Sequence, residues 1–219
     1  MSESADLFAA IADPMPRREL LREGAMVLRG FALNHAPTLL DAMAGVLARA
    51  PLRHMVTPGG YRMSVAMSNC GALGWITGNS GYRYDGIDPE SGAAWPAMPA
   101  VFAHLAGSAA EQAGYPAFVA DACLINRYTP GSRLTLHQDK DEKDFAQPIV
   151  SVSLGLPARF QFGGLRRSDR PLLVPLSHGD VVVWGGASRL CYHGVLALAD
   201  GVHSATGACR INLTLRRAG

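Results

Sequence analysis

From Ala122 to the C-terminus the chain is a succession of short apolar and β-branched stretches: CLINRY, RLTLHQD, IVSVSLG, ARFQFG, LLVPL, DVVVWG, LCYHGV and CRINLTLR. PG, GG and HGD breakers part them, and eight strands at this spacing predict a jelly roll or a barrel. Upstream, Leu39, Leu40, Met43, Val46 and Leu47 fall on one helical face, which predicts an amphipathic helix over Pro37–Ala50, stopped by Pro51. A second helix is predicted over Pro96–Ala113, with Met98, Val101, Phe102 and Leu105 inward and Gly114 as its stop. The intervening 57–95 is rich in Gly, Ser, Asn and aromatics, with alternating runs such as YRMSVAM that read as hairpins covering a site.

The most specific local pattern is the last strand. In CRINLTLRR one parity carries Ile211, Leu213 and Leu215, and the other carries Arg210, Asn212, Thr214 and Arg216. One face is therefore core and the opposite one bears two guanidiniums. A solvent-facing edge strand would explain a lone arginine. Two, about 20 Å apart at Cα by strand rise, could instead bracket a short dicarboxylate, and 2-oxoglutarate has that shape.

A metal site is suggested by RLTLHQDKDE, where period two puts His137 and Asp139 on one strand face. With His193 of CYHGV they would form a two-histidine, one-carboxylate face that leaves the opposite side of a cation open, as non-haem Fe(II) oxygen chemistry requires. Chance alone supplies roughly 0.6 His-x-acid triplets in a chain with 7 His and 18 acidic residues. A second triplet, His178-Gly179-Asp180, does occur. Its central Gly and the VVVW strand directly after it read as hairpin punctuation, so the first is preferred. His193 taken by itself is as readily a strand histidine satisfied by backbone.

With 219 residues the chain fits a single domain, and 48% hydrophobic against 17% charged residues is globular composition. The start MSESADLFAA lacks a basic and apolar leader, and no apolar run approaches a membrane span, so a soluble, cytoplasmic monomer without membrane contact is expected. Cys70, Cys123, Cys191 and Cys209 show neither C-x-x-C pairing nor disulfide-like density. Net charge is only +2, but Lys140 and Lys143 are the sole lysines; the arginine bias suits phosphate or carboxylate recognition.

From Met55 to the C-terminus the chain resembles the AlkB family of Fe(II)- and 2-oxoglutarate-dependent dioxygenases. The runs TPGGYRMSVAMSNCG, WPAMP, DACLINRY, LHQDKDE, IVSVSLGLPA, FQFGGL, HGDVVVWGG and NLTLR carry the likeness. It implies a mainly-β fold with flanking helices, a cupin-like double-stranded β-helix over about 121–217, a helical and hairpin nucleotide-recognition lid over about 51–95, and an extension over 1–23 that carries no recognisable signal. It assigns Fe(II) to His137, Asp139 and His193. Arg210, with Tyr128 and Asn212, would hold the distal carboxylate of 2-oxoglutarate, and Arg216 with Asn126 the carboxylate end near the metal. O2 is the other cosubstrate.

For substrate the resemblance implies alkylated DNA, single-stranded or duplex, with RNA as a second candidate. Trp75 would sandwich a flipped base against His137, although a core tryptophan is an equally ordinary fate. Asp141, two beyond Asp139, would accept from an exocyclic amine; otherwise it belongs to the solvated KDEKD cluster. Tyr82, Tyr84, Arg167 and Met67 belong to the same side of the site, and Thr57, Tyr61 and Tyr82 resemble phosphate contacts. The departures are Ile211 in place of an aromatic, the stretch 76–80, and Arg83 between the two tyrosines. The activity implied is hydroxylation of an N-methyl group, as in 1-methyladenine or 3-methylcytosine, to a hemiaminal that releases formaldehyde. A hydroxylase of small molecules or peptides would keep the metal triad and both arginines without needing Trp75 and the tyrosines. A non-enzymatic metal-binding barrel would leave the arginines without a purpose.

Overall fold

The computed structural model describes residues 17–78 and 81–219. Two antiparallel sheets face each other. The larger is ordered β1 (Arg18–Arg22), β2 (Ala25–Leu28), β11 (Val181–Trp184), β8 (Ile149–Gly155), β13 (Arg210–Arg216), β6 (Ala122–Tyr128) and β3 (Ala66–Gly71). The smaller runs β10 (Leu172–Leu176), β9 (Ala158–Phe162), β12 (His193–Val195) and β7 (Leu134–His137), and a separate hairpin pairs β4 (Gly74–Gly78) with β5 (Gly81–Asp85). All eight strands expected after Ala122 are present, in a jelly-roll arrangement.

Strand alternation sorts the large sheet into two faces. Ile211, Leu213 and Leu215 of β13, Val150, Val152 and Leu154 of β8, and Val181 and Val183 of β11 pack against Leu39 of α1 (Ala36–Arg49) and Phe102, Leu105 and Ala109 of α2 (Ala100–Gln112). The opposite face looks into the space between the sheets, where Tyr128, Ile149, Val182 and Trp184 meet Phe160, Phe162, Val174 and Val195. Arg210, Asn212, Thr214 and Arg216 lie on that second face, each 1–6% exposed. The edge-strand alternative for 210–216 fails because β13 is hydrogen-bonded on both sides, to β6 and to β8.

Helix α1 follows the pattern, with a proline in its first turn and Ala50 as its cap. Helix α2 starts at Ala100 rather than Pro96. Pro99 holds φ −59, ψ 139 as N-cap, and a proline disfavours helical geometry in the residue before it, so Met98 packs on the core from outside the helix. Of the extension 1–23, residues 1–16 lie outside the described residues, while Arg18–Arg22 pairs with β2, which in turn pairs with β11, so residues 18–22 join the main sheet. The charged residues of RELLR conceal the pattern because β1 is an exposed edge. The departure expected over 76–80 is described only to Gly78. No described helix is long and apolar enough to cross a membrane.

Because Leu213 is fully buried at the centre of the sheet–helix core, Leu213→Ala should cost about 2–5 kcal/mol by transfer and cavity effects. Urea unfolding should show a lower midpoint at unchanged slope.

Candidate metal and cosubstrate site

His137 closes β7 and His193 opens β12, and the two are directly paired across the ladder. Their rings lie 4.4 Å apart between centroids. The strands approach so closely because residue 194 is glycine: a Cβ there would come within 2.7 Å of the Leu134 carbonyl oxygen and 3.1 Å of the Leu136 nitrogen. Asp139 completes the group, with Oδ1 at 3.6 Å from His137 Nε2 and Oδ2 at 3.7 Å from His193 Nε2. Ligand atoms from the three residues all lie within 4.8 Å of one another.

Strand parity is not what brings Asp139 there. The strand ends at His137; Gln138 Nε2 donates to the Leu190 carbonyl and Arg189 Nη1 to that of Asp139, drawing this stretch out of the ladder. The same ending removes the parity argument for Asp141. The rival triplet is a turn, as its glycine predicts: Gly179 has φ +85, His178 Nδ1 accepts from the Gly155 amide, and Asp180 accepts from Gly30, Ser177 and Arg29.

The triad is prepared for a cation. His137 Nδ1 donates to the Thr135 carbonyl at 2.9 Å and His193 Nδ1 to that of Cys191 at 3.0 Å, the tautomer that leaves each Nε2 with a lone pair facing Asp139. Burial, with His137 adding to it, depresses His193 to about 4, so it stays unprotonated at neutral pH. Burial pushes Asp139 upward, but Arg216, His193 and His137 together outweigh it and hold the carboxyl well below the ordinary carboxylate range. Two imidazoles and one carboxylate suit Fe(II) and leave open positions.

Beside the triad, Arg210 is an incompletely satisfied buried cation. Nη2 donates to Ser153 Oγ at 2.9 Å and the guanidinium lies 5.1 Å over the Tyr128 ring, while Nε and Nη1 have no partner. Two buried donors left open on a residue 1% exposed ask for an anion. Asn212 is fixed by Ser151 Oγ, the Val152 carbonyl and Thr214 Oγ1, whereas Asn126 Oδ1 also lacks a partner. The residues present therefore fit a dicarboxylate as well as a metal. Arg216 differs from its expected place. Instead of standing free for a carboxylate, its Nε and Nη2 both donate to Asp139 Oδ2, at 3.0 and 2.6 Å, because that anion is its nearest buried counter-charge.

One cavity of about 1010 Å³ joins these groups to the surface. Its inner wall includes the triad, Asn126, Tyr128, Arg210, Asn212 and Arg216; its outer wall includes Thr57, Tyr61, Met67, Trp75, Tyr82, Asp141 and Arg167. Trp75 stacks on Tyr82 with centroids 5.1 Å apart and planes 16° from parallel, and its Nε1 donates to Asp141 Oδ2 at 2.9 Å. Tyr61 is 77% exposed at the mouth, and Arg167 Nη1 donates to the Leu136 carbonyl.

Residues 24–216 match the profile of the 2OG-Fe(II) oxygenase superfamily. Alpha-ketoglutarate-dependent dioxygenase AlkB of Escherichia coli K12 is 58% identical over 214 residues, 98% of each chain. This chain belongs to the AlkB family. The Nucleic acid dioxygenase ALKBH1 of mouse is 34% identical over 56% of this chain and 31% of its own. Among solved structures, OsALKBH1 superposes with a TM-score of 0.79 at 28% identity, covering 92% of this chain and all of that one. The enzyme is accordingly an Fe(II)- and 2-oxoglutarate-dependent dioxygenase of the jelly-roll fold, with O2 as the other cosubstrate.

Within this AlkB-family site Tyr84 departs from its expected role. It is absent from the cavity wall: its hydroxyl donates to Glu142 Oε1 at 2.9 Å, and burial raises it well above an ordinary phenol. Tyr82 and Tyr84 share one face of the hairpin, and Arg83 takes the other, toward Asp85. Sequence reasoning missed Glu142, hidden in the KDEKD run, and Arg189, in an unmarked turn. It also missed Ser151 and Ser153, although two alternating hydroxyls in the otherwise apolar IVSVSLG were a usable signal.

The metal-free enzyme should lose stability in mild acid. Between the ordinary histidine value of 6.5 and about 4 the unfolded chain binds a proton at His193 that the folded state excludes, so stability falls as pH is lowered through that window. Asp139, depressed when folded, adds loss in the same direction at lower pH. The urea midpoint of metal-free protein should drop from pH 7 to pH 5, and His193→Gln should flatten that drop.

Proposed function

We propose that this dioxygenase removes alkyl groups from nucleobases in DNA, and in RNA as a second substrate, with His137, Asp139 and His193 as the iron ligands. The observation that carries the reading is continuity: triad, unpaired Arg210 and the Trp75–Tyr82–Asp141 wall line a single cavity open to the surface. Fe(II), 2-oxoglutarate and O2, when bound, supply oxidation of the alkyl carbon coupled to decarboxylation of the keto-acid to succinate and CO2.

The chain's own residues do the rest. Arg210, oriented by Ser153 and Tyr128, has two donors for a distal carboxylate. Trp75 lines the cavity, and its indole, stacked on Tyr82, is an aromatic surface suited to a base removed from its helix. Its Nε1 engages one oxygen of Asp141, which leaves the other to accept from an exocyclic amine. A carboxylate at that place favours bases that methylation makes cationic, such as 1-methyladenine and 3-methylcytosine. Thr57, Tyr61, Tyr82 and Arg167 line the same cavity; on this reading they meet the phosphate backbone, and the β4–β5 hairpin belongs to the recognition lid expected over about 51–95. Once the N-methyl carbon is hydroxylated, the hemiaminal hydroxyl loses its proton to solvent, the C–N bond breaks with its electron pair left on the ring nitrogen, and formaldehyde leaves. Closure around the base excludes water from the oxidising step.

The test is formaldehyde release from an oligonucleotide carrying 1-methyladenine, with Fe(II), 2-oxoglutarate and oxygen. His137→Ala should lower turnover by more than about a hundredfold, and His178→Ala should leave it intact. Asp141→Ala should slow the cationic lesion about tenfold more than a neutral etheno adduct. Keto-acid turnover without any formaldehyde from the oligonucleotide would instead place the chain among hydroxylases of small molecules or peptides.

A further inference from the structure

Behind the triad, four charged groups are buried together. Arg189 Nη2 lies 3.1 Å from Glu142 Oε2, Arg216 Nε 3.2 Å from Glu142 Oε1, and Arg216 Nη2 2.6 Å from Asp139 Oδ2. The side chains of Arg189, Glu142 and Arg216 are 3%, 1% and 7% exposed. Arg189 also grips the backbone, donating through Nη1 to the Asp139 carbonyl and through Nε to that of Gln147. From the other side Tyr84 of β5 donates to Glu142 at 2.9 Å.

The charges of Arg189, Arg216, Asp139 and Glu142 cancel, so adding a divalent cation and a dicarboxylate dianion leaves the set neutral. This matters because Asp139 has two claims on it. When its oxygens turn to a metal, its hold on Arg216 weakens, and a guanidinium beside a dication needs another anion to stay in place. Glu142 is the buried anion in contact with it. Without that charge a net +1 would remain next to Asp139, opposing a dication and favouring a dianion.

We propose that Glu142 is a positioning residue: it holds Arg216 beside Asp139, supplies the buried negative charge against which the metal binds, and through Tyr84 ties the β4–β5 hairpin to the metal site. The inference rests on the assignment of His137, Asp139 and His193 as ligands. It implies that the wall carrying Trp75 and Tyr82 is mechanically linked to the cosubstrate end of the cavity, through a residue that does not itself line that cavity.

Calorimetric titration of Mn(II) into metal-free protein, then of 2-oxoglutarate into the Mn(II)-loaded form, tests this in wild type, Glu142→Gln and Glu142→Asp. Hydrogen exchange of residues 74–85 is followed in those proteins and in Tyr84→Phe. Glu142→Gln should weaken Mn(II) about tenfold while leaving 2-oxoglutarate affinity equal or tighter, an opposition that general loosening of the fold would not produce. Glu142→Asp, which keeps the charge but is too short for Tyr84, should stay within about threefold of wild type for Mn(II). Hairpin exchange should rise in Glu142→Asp and in Tyr84→Phe, the two variants that lose the Tyr84 hydrogen bond. The proposal is overturned if Glu142→Gln binds Mn(II) as wild type does, if it loses metal and keto-acid affinity together, or if hairpin exchange is unchanged. Should Glu142→Gln fail to fold, Glu142→Asp carries the decision: wild-type exchange, or a collapse of Mn(II) affinity, contradicts it. Wild-type protein that takes up no Mn(II) would bring down the ligand assignment itself, whereas normal uptake in both wild type and Glu142→Gln brings down this inference alone.

Discussion

Two guanidiniums on a strand buried on both faces are the constraint from which the rest of this molecule follows. Arg210 and Arg216 sit on β13, flanked by β6 and β8, so neither can reach bulk water along the sheet. Burying a cation costs several kcal/mol unless it is paired, and the two are treated differently. Arg216 receives protein anions, Asp139 and Glu142. Arg210 receives a hydroxyl and an aromatic face, with two donors left open toward the cavity. The first arrangement suits the support of a metal-binding carboxylate. The second suits the reception of a ligand carboxylate.

The supporting fold serves that division. Helices α1 and α2 cover one face of the large sheet with ordinary aliphatic packing, which leaves the opposite face free to carry serines, asparagines and arginines between the sheets. The small sheet contributes the imidazoles, and a glycine at 194 lets β7 and β12 approach until the two rings meet. The mouth is more exposed, and Tyr61, Tyr82 and Arg167 lie there.

Much of this is legible in the sequence alone. Period-two alternation in residues 210–216 separated Ile211, Leu213 and Leu215 from the polar set, because side-chain direction in a strand depends only on parity. Gly179 marked His178 and Asp180 as a turn through its need for positive φ. What escaped were relations that no local period encodes. Asp139 lies past the end of its strand, placed by long-range bonds from Arg189 and Gln138. Glu142 and Tyr84 are 58 residues apart and meet only through the fold. The first strand was invisible because a solvent-exposed edge tolerates charge on both faces, as at Arg18, Glu19 and Arg22.

On the proposed reading, metal and keto-acid share one compartment, with the triad at one end of the ligand and Arg210 at the other. A crystal structure of the protein with Mn(II) and 2-oxoglutarate, the metal located by its anomalous scattering, tests it most directly. The expected result is a metal peak bounded by His137 Nε2, Asp139 and His193 Nε2, and a distal carboxylate on the open Nε and Nη1 of Arg210. A metal held elsewhere, or a keto-acid whose far carboxylate leaves Arg210 unpaired, would contradict it.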